Sequence, residues 1–256
     1  VLSVDPSTLI ARLEAALPGA EAPVLAFDAD GTLWSGDVGE DFFHHVADEE
    51  LIPEEAAEAT YAMARAHGVP EARTAGRTAR AVYAAFEAGR VPEPDAVALV
   101  AFCLAGATRD RARAIAETVV ARAALQQRAQ EELAPIRAWA RERRVECFVV
   151  SASPAVVVEP SAALLGFDAA HVIAVETHWE GDRMRAEVRT PMPYAEGKVS
   201  CLRARIGARS LLGAFGDNAF DVPMLQAARV AVAVRPKARL AARAAEVPGL
   251  LRLERR

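Results

Sequence analysis

A chain of 256 residues, 52% of them hydrophobic, is long enough to bury a full core and to carry a smaller second domain. Its net charge of -5 is mild and its 30 basic residues are scattered, which leaves no footprint for nucleic acid, and no apolar run approaches the ~20 residues that cross a bilayer. Cys103, Cys147 and Cys201 stand singly without CxxC spacing, as buried thiols in a reducing compartment do, so a cytoplasmic location is expected. The chain begins at Val1 rather than Met, which leaves room for a removed export signal. Glycine-rich loops of the GxGxxG or GKT kind are absent, against a nucleotide-dependent kinase or dehydrogenase.

In chain order, Asp5-Pro6 caps an amphipathic helix over Ser7 to Leu17, closed by Pro18-Gly19. Val24 to Phe27 then reads as a short buried strand that stops abruptly in Asp28, Asp30, Gly31 and Thr32. Two acids one residue apart repel each other and resist leaving water, so something cationic is expected between them. Period-2 alternation leans both to one side of the strand end, where a hard divalent ion can draw on both, and Gly31 lets the chain turn away. From Gly36 to Gln130 there is no strand-like stretch, only alanine-rich helical pieces at Val38 to Leu51, Pro53 to His67, Arg73 to Ala88, Pro94 to Ala105 and Arg109 to Gln127. Phe42, Phe43 and Val46, and Val82, Tyr83 and Phe86, recur at helical spacing and are expected to face one another in a small bundle.

A helix over Glu131 to Arg143 leads into a second buried strand, Val145 to Val150, ending at the hydroxyl of Ser151. Pro154 to Leu165 is helical, and Val172 to Thr177 and Arg183 to Val188 flank a hairpin turn at Glu180-Gly181-Asp182. A helix from Glu196 carries Lys198 in its first turn. Leu211 to Phe215 is a third buried strand, ending in Gly216-Asp217-Asn218-Ala219-Phe220-Asp221, and Val230 to Val234 is a fourth. Such alternation implies an α/β fold: a doubly wound, mainly parallel sheet with an all-helical insertion and a small β-hairpin. The core spans residues 1–35 and 131–256 and the helical domain 36–130. Ligands then sit at the carboxyl ends of the strands, where the polar residues gather.

The Asp-x-Asp-Gly-Thr-Leu turn, Ser151, Lys198 and the Asp217–Asp221 segment, in this order and each at a strand end or helix start, resemble the four motifs of the haloacid dehalogenase-like phosphatases. The resemblance implies a Rossmann-like core and a helical cap, similar to the phosphoserine-phosphatase branch. It also implies that Mg²⁺ is held by Asp28, the backbone carbonyl of Asp30 and Asp217, a set that suits an octahedral ion needing oxygen donors. Asp28 is then the nucleophile, and Asp30 the acid and later the base. Lys198, Ser151 and Thr32 hold the phosphate. Asp221 and Asn218 stand behind these groups, Asp221 orienting Lys198 or a metal-bound water. An acid at position 30 favours phosphate-ester hydrolysis over carbon-halogen cleavage, since dehalogenases of the superfamily lack it.

The expected partner is a small phosphorylated metabolite, because caps close over substrates and exclude water. Asp37, nine residues after Asp28, stands where that branch has a glutamate for the substrate's ammonium, and equally suits a helix N-cap. Ala98 falls where an arginine clamps the substrate carboxylate, and Ser151-Ala152-Ser153 replaces Ser-Gly-Gly. Trp34, following directly on the turn, is similar to phosphocholine-phosphatase relatives, and with Phe42, Phe43 or Tyr61 it forms either a cation-binding aromatic wall or, as such stripes more often do, simply core. A phosphocholine or phosphoethanolamine phosphatase, a silent phosphometabolite-binding protein, and transfer to an acceptor other than water remain alternatives. His44, His45 and His178 lack metal-ligand spacing and are expected to be structural or exposed. The oligomeric state is open.

Overall fold

The computed structural model describes residues 1–255. Its strands are β1 (Leu2–Val4), β2 (Val24–Phe27), β3 (Glu146–Pro154), β4 (Val172–Val175), β5 (Thr177–Glu180), β6 (Arg183–Val188), β7 (Leu211–Gly216), β8 (Val230–Val234) and β9 (Leu251–Leu253). Seven of them form one sheet in the order β1-β9-β8-β7-β2-β3-β4, every pair parallel, and β5 with β6 makes a separate antiparallel hairpin. Helix α1 (Pro6–Ala16) follows β1. Between β2 and β3 lie α2 (Val38–Asp48), α3 (Glu54–Ala66), α4 (Ala75–Glu87), α5 (Glu93–Phe102), α6 (Arg109–Ala123), α7 (Leu125–Arg128) and α8 (Ala134–Glu142). The remaining helices are α9 (Ala155–Ala163), α10 (Glu196–Ile206), α11 (Val222–Gln226) and α12 (Ala238–Ala242).

Strands β2, β7 and β8 are buried along their whole length, as a sheet covered on both faces requires. Phe27 stacks on Phe215 at a centroid distance of 4.4 Å, tying the two central strands below the site. Register does the rest. Phe27 pairs with Val149 on one side and Phe215 on the other, so Asp28, Ser151 and Asp217 leave the sheet within one or two residues of the same level. The central strand β2 is flanked by β3 and β7, whose connections run outward in opposite directions, the switch point at which such sheets bind ligands.

Several expected boundaries are corrected. The run Val172 to Thr177 is not one hairpin arm: Val172–Val175 joins the large sheet beside β3, and the hairpin starts at Thr177. The hairpin leans on the insertion, where Gly106 N–H donates to Met184 O and Met184 N–H to Ala107 O. Strands β1 and β9, unread in the sequence, are three residues each, too short to show a period. The helix expected to reach Gln127 breaks at Ala124, a left-handed residue with φ 47°, a position that alanine gives no sign of. Residues Glu131–Leu133 form a 3-10 turn before α8, whose Pro135 cannot donate to a preceding turn. Phe42, Phe43, Val46 and Val82 are buried in the bundle as expected, whereas Tyr83 and Phe86 are only half-buried.

Glu132 is 1% exposed and takes both guanidinium contacts of Arg235, at 2.7 and 3.0 Å, which ties the start of the returning chain to the loop after β8. Removing one partner of such a pair strands the other charge. Arg235→Ala is therefore expected to cost about 3–5 kcal/mol of unfolding free energy in urea titration. A loss under about 1 kcal/mol would show that the pair contributes no more than an exposed one.

Candidate active site

Asp28, 3% exposed, is fixed by its N–H donating to Phe215 O at 2.9 Å. Its Oδ1 accepts Lys198 Nζ at 2.6 Å, and its Oδ2 has no partner. Lys198 comes from the first turn of α10, is fully buried, and also donates to Asp221 Oδ1 at 2.5 Å. The other oxygen of Asp221 accepts the N–H groups of Asp217 and Asn218 at 3.0 and 2.9 Å, while the Asn218 side chain caps Ala219. Asp221 thus has both oxygens occupied. Asp217 pairs through Oδ2 with Lys237 at 2.9 Å and leaves Oδ1 without a partner. Gly31, at φ +87°, makes this approach possible, since a Cβ there would lie 2.0 Å from Asp217 Oδ2.

One carboxylate oxygen each from Asp28, Asp217 and Asp221 lies within 4.8 Å of the others. Burial, then Asp221 and Asp217, push the Asp28 carboxyl well above its usual range against the pull of Lys198. Burial likewise raises Asp217 to about 6, although Lys237 opposes it. Burial pulls the Lys198 ammonium down, but Asp221 and Asp28 outweigh it and hold it charged. Two buried, partnerless oxygens on neighbouring carboxylates whose charge the lysines do not neutralise are what a hard divalent cation with oxygen preference fits. The buried hydroxyl of Thr32 is also without a partner.

Asp30 sits at the mouth of this cluster. Its Oδ1 accepts Trp34 Nε1 and the Val38 N–H, both at 2.7 Å, and its Oδ2 accepts the Ser153 hydroxyl at 2.7 Å. Burial raises its carboxyl while those three donors pull it down. Of the two readings of Trp34, the structure has the core one, and the aromatic wall, with Trp34 as a substrate-binding residue, is corrected. Trp34 is fully buried with its indole turned back onto Asp30, and neither Trp34, Phe42, Phe43 nor Tyr61 lines the cavity. That cavity, about 160 Å³, opens over Asp28, Asp30 and Ser151 and takes its rings from Tyr83, Phe86, Tyr194 and Phe220. Ser151 is 1% exposed and accepts the Ser153 N–H at 3.0 Å.

Asp37 combines both roles read for it, capping α2 through the Glu40 N–H at 2.8 Å and lining the cavity. Burial, then Asp30, push its carboxyl to about 8. Against the ordinary aspartate value of about 4, the folded chain holds this proton where the unfolded chain has lost it, so stability falls as pH rises through that window. Asparagine caps as well as aspartate. In thermal unfolding of the metal-free protein between about pH 6 and pH 9, Asp37→Asn is expected to lose less stability than the parent, and parallel curves would contradict the shift.

Lys237 and Ser153 join the site although the sequence assigns neither of them a role. The run Arg235-Pro236-Lys237, similar to the same segment of the phosphoserine-phosphatase branch, and the serine two places after Ser151 are the available signals, but only the fold shows what each side chain touches. Ala98 is half-buried and does not line the cavity. His178 is exposed and His44 pairs with Glu40 at 3.3 Å; among the described residues neither they nor His45 join a group of potential metal ligands.

The haloacid dehalogenase-like hydrolase family model matches residues 25–226, which contain every one of these groups except Lys237. No curated protein sequence matches the chain. Among solved structures, a protein of unknown function from Bordetella pertussis Tohama I superposes with a TM-score of 0.71 at 19% identity, over 91% of this chain and 98% of that one. A functionally unknown protein from Anaerococcus prevotii DSM 20548 gives 0.71 at 13% identity, over 98% and 92%. A substrate-bound phosphoserine phosphatase gives 0.54 at 17% identity, over 89% and 91%. At these identities the likeness is one of fold. Among the described residues no helix is long and apolar enough to cross a membrane.

Proposed function

The chain belongs to the haloacid dehalogenase-like hydrolases, and from that membership we propose that it is a Mg²⁺-dependent phosphatase of a small phosphomonoester, working through phospho-Asp28. The observation that carries this reading is the carboxylate of Asp28: one oxygen on Lys198, the other buried and partnerless, with Asp217 close enough to share an ion. Asp28, the backbone carbonyl of Asp30 and Asp217 would hold the Mg²⁺, which when bound draws charge from the phosphoryl oxygens.

In the first half-reaction a carboxylate oxygen of Asp28 bonds to phosphorus as the ester bond breaks, and Asp30 gives its proton to the departing alcohol oxygen. Asp30 then takes a proton from water, whose oxygen displaces Asp28 and releases phosphate. Lys198 and Ser151 hold phosphoryl oxygens through these steps, with Thr32 beside the turn. Asp221 keeps Lys198 aimed, and Asn218 holds the turn that carries Asp217. The helices of 36–130 act as a cap over this centre, a cytoplasmic setting suiting free thiols and a soluble metabolite.

Phosphate release from p-nitrophenyl phosphate tests the proposal. Turnover is expected with Mg²⁺ and is expected to vanish on chelation; equal turnover after chelation would refute the metal dependence. No turnover of a broad ester panel despite binding would refute the enzyme.

A further inference from the structure

Two walls meet over the reacting carboxylates. The core contributes Tyr194 and Phe220, ring centroids 5.6 Å apart, and the helical insertion contributes Tyr83 and Phe86, 5.5 Å apart. Helix α5 turns one face inward, with Glu93, Ala96, Val97 and Val100 following the i, i+3, i+4, i+7 spacing of a single helical stripe. The Tyr194 hydroxyl donates to Glu93 Oε2 at 3.1 Å and so joins the walls. Glu40 and Asp37, from the start of α2, complete the acidic side.

Positive charge is scarce here. Among the described residues the basic side chain lining the cavity is Lys237, and it is held on Asp217 at the phosphate end. Beyond that end the wall is anionic and aromatic, with no donor fork for a carboxylate. The cavity is a ligand site on separate grounds, because Asp28, 3% exposed, lines it with an oxygen that no protein group satisfies.

We propose that the seat formed by Glu93, Glu40, Tyr83, Phe86 and Tyr194 receives a cation, so that the substrate is the phosphate monoester of a short amino alcohol, bearing an ammonium or quaternary ammonium and no carboxylate. This rests on the phosphatase reading. A cation over ring faces beside carboxylates replaces its lost water, whereas a carboxylate in the same place is desolvated, repelled and unpaired. The volume, about 160 Å³, lies below the roughly 300–1,000 Å³ of drug-sized pockets, which favours a short alcohol.

The test is calorimetric titration of the Mg²⁺-loaded Asp28→Asn chain, which reads binding without turnover. The probes are phosphocholine, its neutral isostere 3,3-dimethylbutyl phosphate, phosphoserine and p-nitrophenyl phosphate. Phosphocholine is expected to bind at least about tenfold more tightly than the isostere. Adding Glu93→Gln is expected to bring the two within about threefold. If that variant does not fold, Glu40→Gln gives the same readout. Equal affinity for the two esters, tighter binding of phosphoserine, or binding of p-nitrophenyl phosphate without phosphocholine overturns the seat. Turnover of p-nitrophenyl phosphate by the parent chain judges the phosphatase reading separately.

Discussion

Asp28→Asn is expected to lower Mg²⁺-supported phosphate release by roughly 10⁴- to 10⁶-fold, as loss of a nucleophile does. The amide nearly matches the carboxylate in size and keeps an oxygen for Lys198, so the loss is one of chemistry, because an amide oxygen does not form the acyl phosphate. The same substitution is expected to raise the thermal midpoint of the metal-free chain. Asp28 is buried with Asp221 and Asp217 near it, and these, after burial, push its carboxyl well above the usual range. Deleting one of the clustered charges relieves a cost that serves function rather than stability. Steady-state kinetics and a melt on one preparation check both halves. A variant that loses activity and stability together would point to a structural role for Asp28.

The main features of this site were legible because they are local. A buried strand that ends in polar or charged groups is anomalous wherever it lies, and Asp28, Ser151 and Asp217 each stand at such an end, whereas Lys198, an ordinary helix lysine by itself, is picked out by the resemblance alone. Three such anomalies in a parallel α/β pattern also fix where they meet, since connections place those ends on one edge. What escaped was whatever depends on side-chain direction or on packing between distant segments. The sequence leaves Trp34 between core and a ligand-facing wall, and it cannot tell that the indole serves Asp30 four residues back. Tyr83 and Phe86 were assigned to the bundle by helical spacing, which cannot tell a face against protein from a face against a cavity. The Glu93–Tyr194 contact spans 101 positions, and no periodicity signals it.

Asp30→Asn is expected to reduce turnover by about 10²- to 10⁴-fold, the range for a positioned acid-base group. The loss should depend on the leaving group. p-Nitrophenolate departs without a proton, so formation of the phosphorylated chain is expected to be nearly spared on that ester and strongly slowed on an alkyl phosphate. Release of phosphate from the intermediate needs a base in either case, so the variant is expected to accumulate phosphorylated protein and to show a burst of nitrophenolate. Trp34 and the Val38 amide both donate to Asp30 Oδ1. Oδ2 accepts one donor, the Ser153 hydroxyl, and on the proposed mechanism would be the oxygen that carries the moving proton. An equal loss on both esters with no burst would move the proton-transfer role to another group.

The most direct measurement is acid quenching of the Asp30→Asn chain during turnover of p-nitrophenyl phosphate with Mg²⁺, followed by peptide mass spectrometry. The expected result is one phosphoryl group on the peptide bearing Asp28, absent when Asp28→Asn is added. A phosphoryl group on any other residue, or steady turnover with no phosphorylated peptide, would contradict it.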